Sequence, residues 1–430
     1  MKTKPGKAPR QLKGVALEKA LKLARVSHDT FTQYATPAPA LRDLEIDKGL
    51  AQGLTETLRP RKLARAFSAT RFADLLAHSL TADGVGFALQ INRDGKPVAA
   101  RANGYARSVA DGGVRWDSDT RMHIASVSKF FSAVGLVKLL YKKGISFDRK
   151  VRDFLPSYWT IGPKAYFLTF HNILSHEHGL WTIDCAYADV KREIANAQSA
   201  IGEGNHYANS NYALMRILIP IINGDLQRDV DYGKALGFGI SNDTAWDALT
   251  RKHFNDYMQE NVWRPSGVSF ASLKSTTALW NLPPFSGMKP YTDAAIGYGY
   301  PPVSTGTHGV DISSDLTIYA GAVGWHVSCN EILQVADKVR RRDGIISNRT
   351  LNQMFRLGYG FFGTHRNGNT AIHYHDGIWA ASDVGETAYL GFIDSRYEFA
   401  VLNNHERDIK VRSLGLLRDR VHAIYDESMK

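Results

Sequence analysis

The sequence has few cysteines and no long apolar run. Its 430 residues contain two cysteines, Cys185 and Cys329, which lie far apart and match no spacing typical of a paired-thiol or zinc site. Disulfides are scarce in large folds whose cores are stable without cross-links, so we expect two buried, reduced thiols. A membrane-spanning helix needs about 18–20 consecutive apolar residues. The best run, residues 214–222, is short and contains Arg216, so no membrane span is predicted.

The N-terminus also lacks the apolar core of a secretory signal. Charged side chains interrupt the region at Lys13, Glu18, Lys19 and Lys22. Because no targeting segment is visible, a cytoplasmic location is expected.

The surplus of positive charge is local. The formal net charge is +11, but residues 1–30 hold eight basic and two acidic residues and account for +6 of it. Residues 31–65 add +2, which leaves +3 for the remaining 365 residues. A nucleic-acid surface would cluster its basic groups on the folded body. No nucleic-acid partner is therefore expected, and the oligomeric state is left open.

Two β-rich zones near the ends of the chain enclose a longer helical stretch. Residues 85–105 form two strand-like runs joined by a turn at Asp94-Gly95. Residues 371–402 contain three further strand-like runs, whereas the segments in between mostly have helical periodicity. This order predicts a mixed α/β (α+β) fold in which both zones join one antiparallel sheet.

The predicted domain organisation follows from this pattern. Residues 1–61 form a basic N-terminal extension, partly helical or disordered. Residues 62–430 form one domain, in which a sheet lobe with flanking helices (about 62–115 and 310–430) joins a mostly helical lobe (about 116–309). A cleft between the two lobes is the expected place for chemistry.

The segment Ser126-Val127-Ser128-Lys129 carries the first chemical signal. Apolar residues follow it at helical spacing, which predicts a helix that begins at Ser126 and buries one face. Ser126 and Lys129 then lie on one turn. A serine hydroxyl becomes a nucleophile when a base takes its proton, and a buried amine with a lowered pKa can be that base. A serine that only caps the helix is the alternative interpretation of this segment alone.

Two further segments complete a pattern. Tyr-Ala-Asn at 207–209 precedes a second apolar helix, and His-Asp-Gly at 375–377 ends a strand-like run. In this order the three segments resemble the SxxK, Tyr-x-Asn and Lys-Thr-Gly or His-x-Gly motifs of the serine β-lactamase-related family. That family includes class C β-lactamases, family VIII esterases, D-aminopeptidases and DD-peptidases. The resemblance covers residues 62–426 and implies a β-lactamase/transpeptidase-like fold.

The resemblance also implies a role for each motif residue. Ser126 would be the acylated nucleophile, Lys129 its base or electrostatic activator, and Tyr207 a general base in one half-reaction and an acid in the other. A phenol acts as a base only if nearby positive charge lowers its pKa. The remaining roles are substrate binding, by Asn209, His375, Asp376 and Gly377, and an oxyanion hole, from the backbone N–H groups of Ser126 and Ile378.

The third motif departs from the penicillin-recognising pattern. His375 replaces a lysine and so turns a permanent positive charge into a titratable one. Asp376 replaces a hydroxyl residue that, in lactamases, helps to bind the substrate carboxylate. An ionised Asp376 that faced the cleft would repel a carboxylate by on the order of 1–4 kcal/mol, whereas strand alternation equally allows Asp376 to point away. Penicillin-like substrates are therefore disfavoured.

No cofactor or metal is expected. His171, His176 and His178 crowd one loop, but the H-E-x-x-H zinc pattern fails because Leu180 occupies the position of the second histidine. We therefore expect a serine hydrolase that acts on a small-molecule ester, amide or peptide, most simply an esterase or an amidase/peptidase. The alternatives are a β-lactamase or D-Ala-D-Ala carboxypeptidase, and a catalytically silent binding protein that retains the fold.

Overall fold

The computed structural model of the protein describes residues 67–81, 86–196, 206–237, 239–273, 294–299, 308–311, 315–341, 344–381, 384–394, 396–405 and 417–429. The basic extension predicted for residues 1–61 lies outside these ranges. Within them, no helix is both long and apolar enough to cross a bilayer. Cys185 and Cys329 are both buried and unpaired, as predicted.

Eleven α-helices lie within the described ranges. They are α1 (Ala69–Thr81), α2 (Ser128–Lys143), α3 (Phe170–Ser175), α4 (Tyr187–Asn196), α5 (Asn209–Ala213), α6 (Met215–Asn223), α7 (Tyr232–Leu236), α8 (Asn242–Met258), α9 (Cys329–Arg340), α10 (Asn348–Leu357) and α11 (Leu417–Ser428). Short 3-10 turns lie at Ala125–Val127, Ala165–Phe167 and Leu316–Tyr319.

The described strands form two sheets. They are β1 (Gly86–Arg93), β2 (Lys96–Arg107), β3 (Val114–Arg115), β4 (Met122–His123), β5 (Ser272–Leu273), β6 (Tyr298–Gly299), β7 (Trp325–Val327), β8 (Gly363–Asn367), β9 (Thr370–Ala381), β10 (Val384–Ile393) and β11 (Tyr397–Asn403). The larger sheet has the order β3-β2-β1-β11-β10-β9-β8, with β6 paired to β10, and the smaller has the order β4-β7-β5. All of these pairs are antiparallel. The predicted mixed α/β class with an antiparallel sheet and flanking helices is confirmed.

Local sequence explains the hairpin that starts the large sheet. Asp94 and Gly95 have φ angles of 51° and 74°, and a two-residue type I′ turn requires such positive values at both positions. Aspartate and glycine are among the residues that adopt this conformation most readily. The turn returns β2 along β1 with Ala88 opposite Ala102.

The large sheet separates two apolar cores. On one face, Phe87 and Leu89 of β1 pack with Phe72 of α1 and Tyr425 of α11. On the other face, Ala88 joins a larger core that includes residues of α2, α6, α8 and α9. Successive side chains of a strand point to opposite faces, so β1 contributes to both cores. The terminal helices therefore cover one face of the sheet, and the motif-bearing segments pack against the other.

Helix α2 is more deeply buried than its sequence pattern predicts. Twelve of its sixteen residues are buried, including Lys129 and Ser132. The prediction of a single buried face is wrong because α6 and α8 pack on the helix while the sheet packs on it from another side, where the Phe130 and Phe392 rings lie 5.5 Å apart. The α-helix also begins two residues later than predicted, since residues 125–127 form a 3-10 turn.

Candidate active site

Ser126 lies in the 3-10 turn between β4 and α2. The strand β4 pairs with β7, and the Ile124 N–H donates to the Trp325 carbonyl at 3.0 Å. Ala125 then has a φ of 44°, a conformation that costs a residue with a side chain roughly 1–3 kcal/mol. This bend ends the strand and places Ser126 one turn before Lys129.

Lys129 is fully buried beside Ser126. Its Nζ lies 2.9 Å from the Ser126 Oγ and donates a hydrogen bond of 3.1 Å to the Ala322 carbonyl. Burial disfavours the charged ammonium and lowers the pKa of Lys129 to about 7, while the negative charge of Asp376 opposes part of this shift. Near neutral pH, a large share of the molecules therefore carries a neutral amine within reach of the Ser126 proton.

The carbonyl that accepts from Lys129 belongs to a turn rich in glycine. Gly321 and Gly324 have φ angles of 94° and 115°, and a Cβ at Gly321 would overlap the Tyr212 carbonyl, so glycine is required there. The Ser132 Oγ donates to the Gly321 carbonyl at 2.7 Å and ties the turn to α2. Sequence reasoning missed Ala322 because a backbone acceptor has no residue-type signature.

Tyr207 lies over the Ser126–Lys129 pair. The Lys129 Nζ is 5.0 Å from the centre of the Tyr207 ring, and the Tyr207 hydroxyl interacts with Ser126. Burial raises the pKa of Tyr207 more than its hydrogen bond to Ser126 lowers it. Sequence reasoning made a base role for Tyr207 conditional on a lowered pKa. The shift has the opposite direction because burial dominates.

One side-chain amide atom of Asn209 is hydrogen-bonded, and the other has no partner among the described residues. Its Nδ2 donates to the Ile183 carbonyl at 3.2 Å. Its Oδ1 is buried and accepts no hydrogen bond from the residues that the structure describes. Ala208 is extended, with φ −137° and ψ 135°, so Tyr207 and Asn209 project to the same side of the chain. The open Oδ1 is an acceptor suited to an N–H group of a bound molecule.

His176 positions the second motif, whereas sequence reasoning weighed it only as a metal ligand or a structural loop histidine bonded to the backbone. Its Nδ1 accepts from the Ala208 N–H at 3.3 Å and from the Asn211 Nδ2 at 3.1 Å. Burial lowers the pKa of His176 well below the usual value, so the neutral ring serves as an acceptor. The ring also packs 4.6 Å from that of Tyr207. His171 binds elsewhere, with its Nδ1 2.8 Å from the Tyr359 hydroxyl, and the described residues contain no group of His, Cys, Asp and Glu suited to a metal.

The third motif lies on β9, next to Ser126. A Cβ at Gly377 would be 2.6 Å from the Ile124 carbonyl and 2.8 Å from the Ser126 nitrogen. These distances are shorter than real contacts of a methyl group, so the absence of a side chain at 377 lets the strand approach the nucleophile. Sequence reasoning assigned Gly377 to substrate binding and did not foresee this contact with the nucleophile turn.

The ladder geometry also places the Ile378 backbone. The Tyr374 carbonyl accepts from the Phe362 N–H on the β8 side, and alternate residues of a strand direct their backbone groups to the same side. The N–H of Ile378 therefore points to that edge too. The pairing of β8 with β9 does not extend beyond Tyr374 toward Ile378. No described strand therefore pairs with this edge of β9 at Ile378. An open N–H beside the Ser126 nitrogen is the arrangement that an oxyanion hole requires.

His375 is a neutral side chain in this structure. It is 2 % exposed, and burial, assisted by Lys129, lowers its pKa to about 3. Its Nδ1 lies 2.7 Å from the carbonyl of Asp376. Because a carbonyl only accepts, Nδ1 carries the proton and Nε2 is left with a lone pair. The titratable positive charge foreseen for His375 is therefore absent near neutral pH.

Asp376 does not join the other motif residues on the cleft face. Its Oδ2 lies 3.5 Å from the Arg418 Nη1 of α11, and its cross-strand partner is Tyr389, which belongs to the core beneath the terminal helices. Burial raises the pKa of Asp376 and Arg418 opposes the shift. Of the two orientations that the sequence allowed, the structure has the one that points away. Arg418 was not foreseen because its position depends on how α11 docks.

Comparisons with known proteins give one family match and several similar folds. Residues 63–228 match the family model described as Beta-lactamase. The fold is similar to D-amino acid amidase from Ochrobactrum anthropi SV3 complexed with L-phenylalanine, with a TM-score of 0.60 and 16 % identity over 84 % of this chain and 98 % of the amidase. A comparison with curated protein sequences gives no significant match.

Two other structures share the fold. FmtA from Staphylococcus aureus has a TM-score of 0.58 and 16 % identity over 87 % of this chain and 92 % of its own. The octameric penicillin-binding protein homologue from Pyrococcus abyssi has a TM-score of 0.52 and 19 % identity over 78 % and 73 %. The similar structures show that this chain has the β-lactamase/transpeptidase-like fold, and residues 63–228 match the family model.

Substitution of Gly377 by alanine tests the contact between β9 and the nucleophile turn. The added methyl group must push the strand away from Ser126 and enlarge the gap between the two N–H donors. We expect the rate of covalent labelling by a fluorophosphonate to fall by about a hundredfold, the loss typical of one oxyanion donor. In the matched variant Gly363→Ala, the new methyl group meets only the movable end of Tyr374 at 3.0 Å, so near-normal labelling is expected. Normal labelling of Gly377→Ala would refute the contact.

Proposed function

We propose that this protein is a serine hydrolase that forms an acyl-enzyme at Ser126 and hydrolyses small-molecule esters or amides. The observation that carries the proposal is the 2.9 Å separation of the Ser126 Oγ from the Nζ of the fully buried Lys129, whose pKa is lowered to about 7. A neutral amine at that distance accepts the serine proton as the oxygen attacks an acyl carbon. Lys129 is therefore assigned the role of base.

The geometry supports a defined course for acylation. The Ser126 oxygen bonds to the acyl carbon while its proton passes to Lys129, and the carbonyl oxygen gains negative charge between the N–H groups of Ser126 and Ile378. Collapse of this intermediate breaks the bond to the leaving group. Tyr207 donates its phenolic proton to the departing oxygen or nitrogen, and the Lys129 ammonium returns a proton to Tyr207.

Deacylation reverses the same proton path. A water molecule attacks the acyl carbon, and its proton moves through Tyr207 to Lys129 or directly to Lys129. The Ser126 oxygen then leaves and regains its proton. Because burial raises the pKa of Tyr207, the phenol is protonated at rest, which suits it to act first as an acid.

The charges around the site favour substrates without a carboxylate. His375 is neutral near pH 7, and the Arg418 guanidinium is engaged with Asp376 and Asp419. Neither side chain is free to hold an anionic group. The proposed activity is therefore that of an esterase or amidase rather than of a β-lactamase or D-Ala-D-Ala carboxypeptidase. The shared fold with a D-amino acid amidase that was solved with L-phenylalanine amide supports amides as one class of substrate.

Covalent labelling tests the proposal directly. We expect a fluorophosphonate and p-nitrophenyl acetate each to add one acyl or phosphonyl mass to the intact protein, at Ser126. The variant Ser126→Ala is expected to lose the adduct and at least about a thousandfold of the ester turnover. Ser128→Ala removes the other hydroxyl of the same segment and is expected to keep both. Adduct formation on Ser126→Ala, or none on the native protein with any ester, amide or nitrocefin, would contradict the proposal.

The pH dependence of acylation tests the role of Lys129. A base must be neutral, so kcat/KM is expected to rise with pH through about 7, the pKa to which burial lowers Lys129. Asp376 partly opposes this lowering, so Asp376→Asn is expected to move the rising limb to lower pH. Asp419→Asn, which removes an exposed partner of the same Arg418, serves as the control. A limb that moves to higher pH in Asp376→Asn would contradict the assignment.

A further inference from the structure

Three large apolar side chains are exposed next to the second motif. Ile183 is 71 % exposed, Phe362 43 % and Trp181 37 %. We call these three residues the apolar rim. Exposed apolar groups that gather at one place, rather than scatter singly, mark surfaces that bind a ligand or a partner.

Backbone contacts join the rim to the residues assigned to catalysis. The Ile183 carbonyl accepts from the Asn209 Nδ2 at 3.2 Å, and the Thr182 carbonyl accepts from the Ser210 N–H at 3.2 Å. The segment 181–183 therefore runs along the Tyr-Ala-Asn motif. Phe362 approaches from the sheet, with its ring 5.4 Å from that of Tyr207. Both parts of the rim therefore contact the motif whose Tyr207 hydroxyl interacts with Ser126.

The rim is held in place although its side chains are exposed. The Glu193 carboxylate accepts from the backbone of Trp181 and Thr182 and from the Thr182 hydroxyl. The Trp181 ring stacks on His206 at 4.1 Å, and the residue that follows His206 in the chain is Tyr207. Groups that are already fixed lose little conformational entropy when a ligand binds. The segment is thus preorganised.

The second rim element, Phe362, is fixed in a similar way. Its N–H donates to the Tyr374 carbonyl at 2.8 Å, and the Arg418 guanidinium lies 5.1 Å from the centre of its ring. Since Asp376 and Asp419 hold Arg418, the cation stays beside the ring. This contact fixes Phe362 without offering a free positive charge to the ligand.

The charge at the rim is unfavourable for an acid. Asp184 is exposed and follows Ile183 directly, and the Arg418 cation beside Phe362 is already paired with Asp376 and Asp419. An acyl chain that ended in a carboxylate would meet the Asp184 charge next to apolar surface. An uncharged chain of similar length would bury its methyl and methylene groups against the rim.

We propose that the apolar rim of Trp181, Ile183 and Phe362 binds the acyl group of the substrate, which is uncharged and apolar. The assignment rests on the proposed function, because it takes the acyl group to be the part held by Ser126. It names the residues that select this group.

Turnover of matched esters tests the selectivity. The probes are p-nitrophenyl acetate, p-nitrophenyl butyrate and mono-p-nitrophenyl succinate, which share one leaving group. The butyrate and the succinate have acyl chains of nearly equal length, and only the succinate ends in a carboxylate. We expect kcat/KM for the butyrate to exceed that for each of the other two by at least about tenfold, as one or two buried methylene groups provide.

The variants Ile183→Asn and Phe362→Asn make the same test at the residue level. Each is expected to reduce the butyrate-to-acetate ratio by at least about fivefold, because the longer acyl chain loses more apolar contact than the acetyl group. The control is Phe167→Asn, because Phe167 is 67 % exposed and its 3-10 turn contacts Lys150 and Arg152 rather than the motif residues. Equal ratios in the native protein and both rim variants would overturn the proposal.

A binding measurement separates this inference from the proposed function. Calorimetric titration of Ser126→Ala with 4-phenylbutyramide requires no chemistry. We expect saturable binding that weakens by at least about fivefold when Ile183→Asn is added and is unaffected by Phe167→Asn. If Ser126 takes no acyl group yet the rim variants weaken binding, the proposed function fails and the rim assignment stands. If Ser126 is acylated but binding is insensitive to the rim variants, the proposed function stands and the rim assignment fails.

Discussion

The ammonium of Lys129 has no access to water, and the rest of the site is arranged around that constraint. An uncompensated buried charge is costly, and this lysine meets the cost by releasing its proton near pH 7. The groups around Nζ are a hydroxyl and a carbonyl. A carboxylate in their place would keep the amine protonated and useless as a base. The all-round burial of α2 by the sheet and the neighbouring helices is therefore the structural origin of the proposed nucleophile.

Burial also determines the protonation states of the other polar side chains in the site. Tyr207 is kept protonated and His375 neutral, so the cleft face carries donors and acceptors rather than fixed charges. The ion pair of Asp376 with Arg418 lies on the opposite face of β9. The uncharged residues of the site therefore lie on the cleft face of β9, and the ion pair lies on the other face. The apolar rim extends the uncharged surface of the cleft.

Residues whose contacts are local could be predicted from the sequence, and residues whose contacts depend on long-range docking could not. Ser126 and Lys129 are three positions apart, so one helical turn is enough to bring them together. The direction of Asp376 was left open, because it depends on which face of the sheet α11 covers. Ala322, His176 and Arg418 act through a backbone carbonyl, a loop and the last helix, none of which leaves a pattern in the sequence. The burial of Tyr207, which reverses the expected direction of its pKa shift, is likewise a property of the assembled fold.

The central claim is that Lys129 is a neutral base, and its ionisation can be measured directly. In protein labelled with 13C at the lysine Cε, the Lys129 signal is identified by its loss in Lys129→Arg, and its chemical shift is followed against pH. The structure predicts a midpoint near the pKa of about 7 that burial imposes, against an ordinary value of 10.5. A signal that shows a charged ammonium up to about pH 9 would contradict the assignment, because an amine protonated at neutral pH cannot take the proton of Ser126.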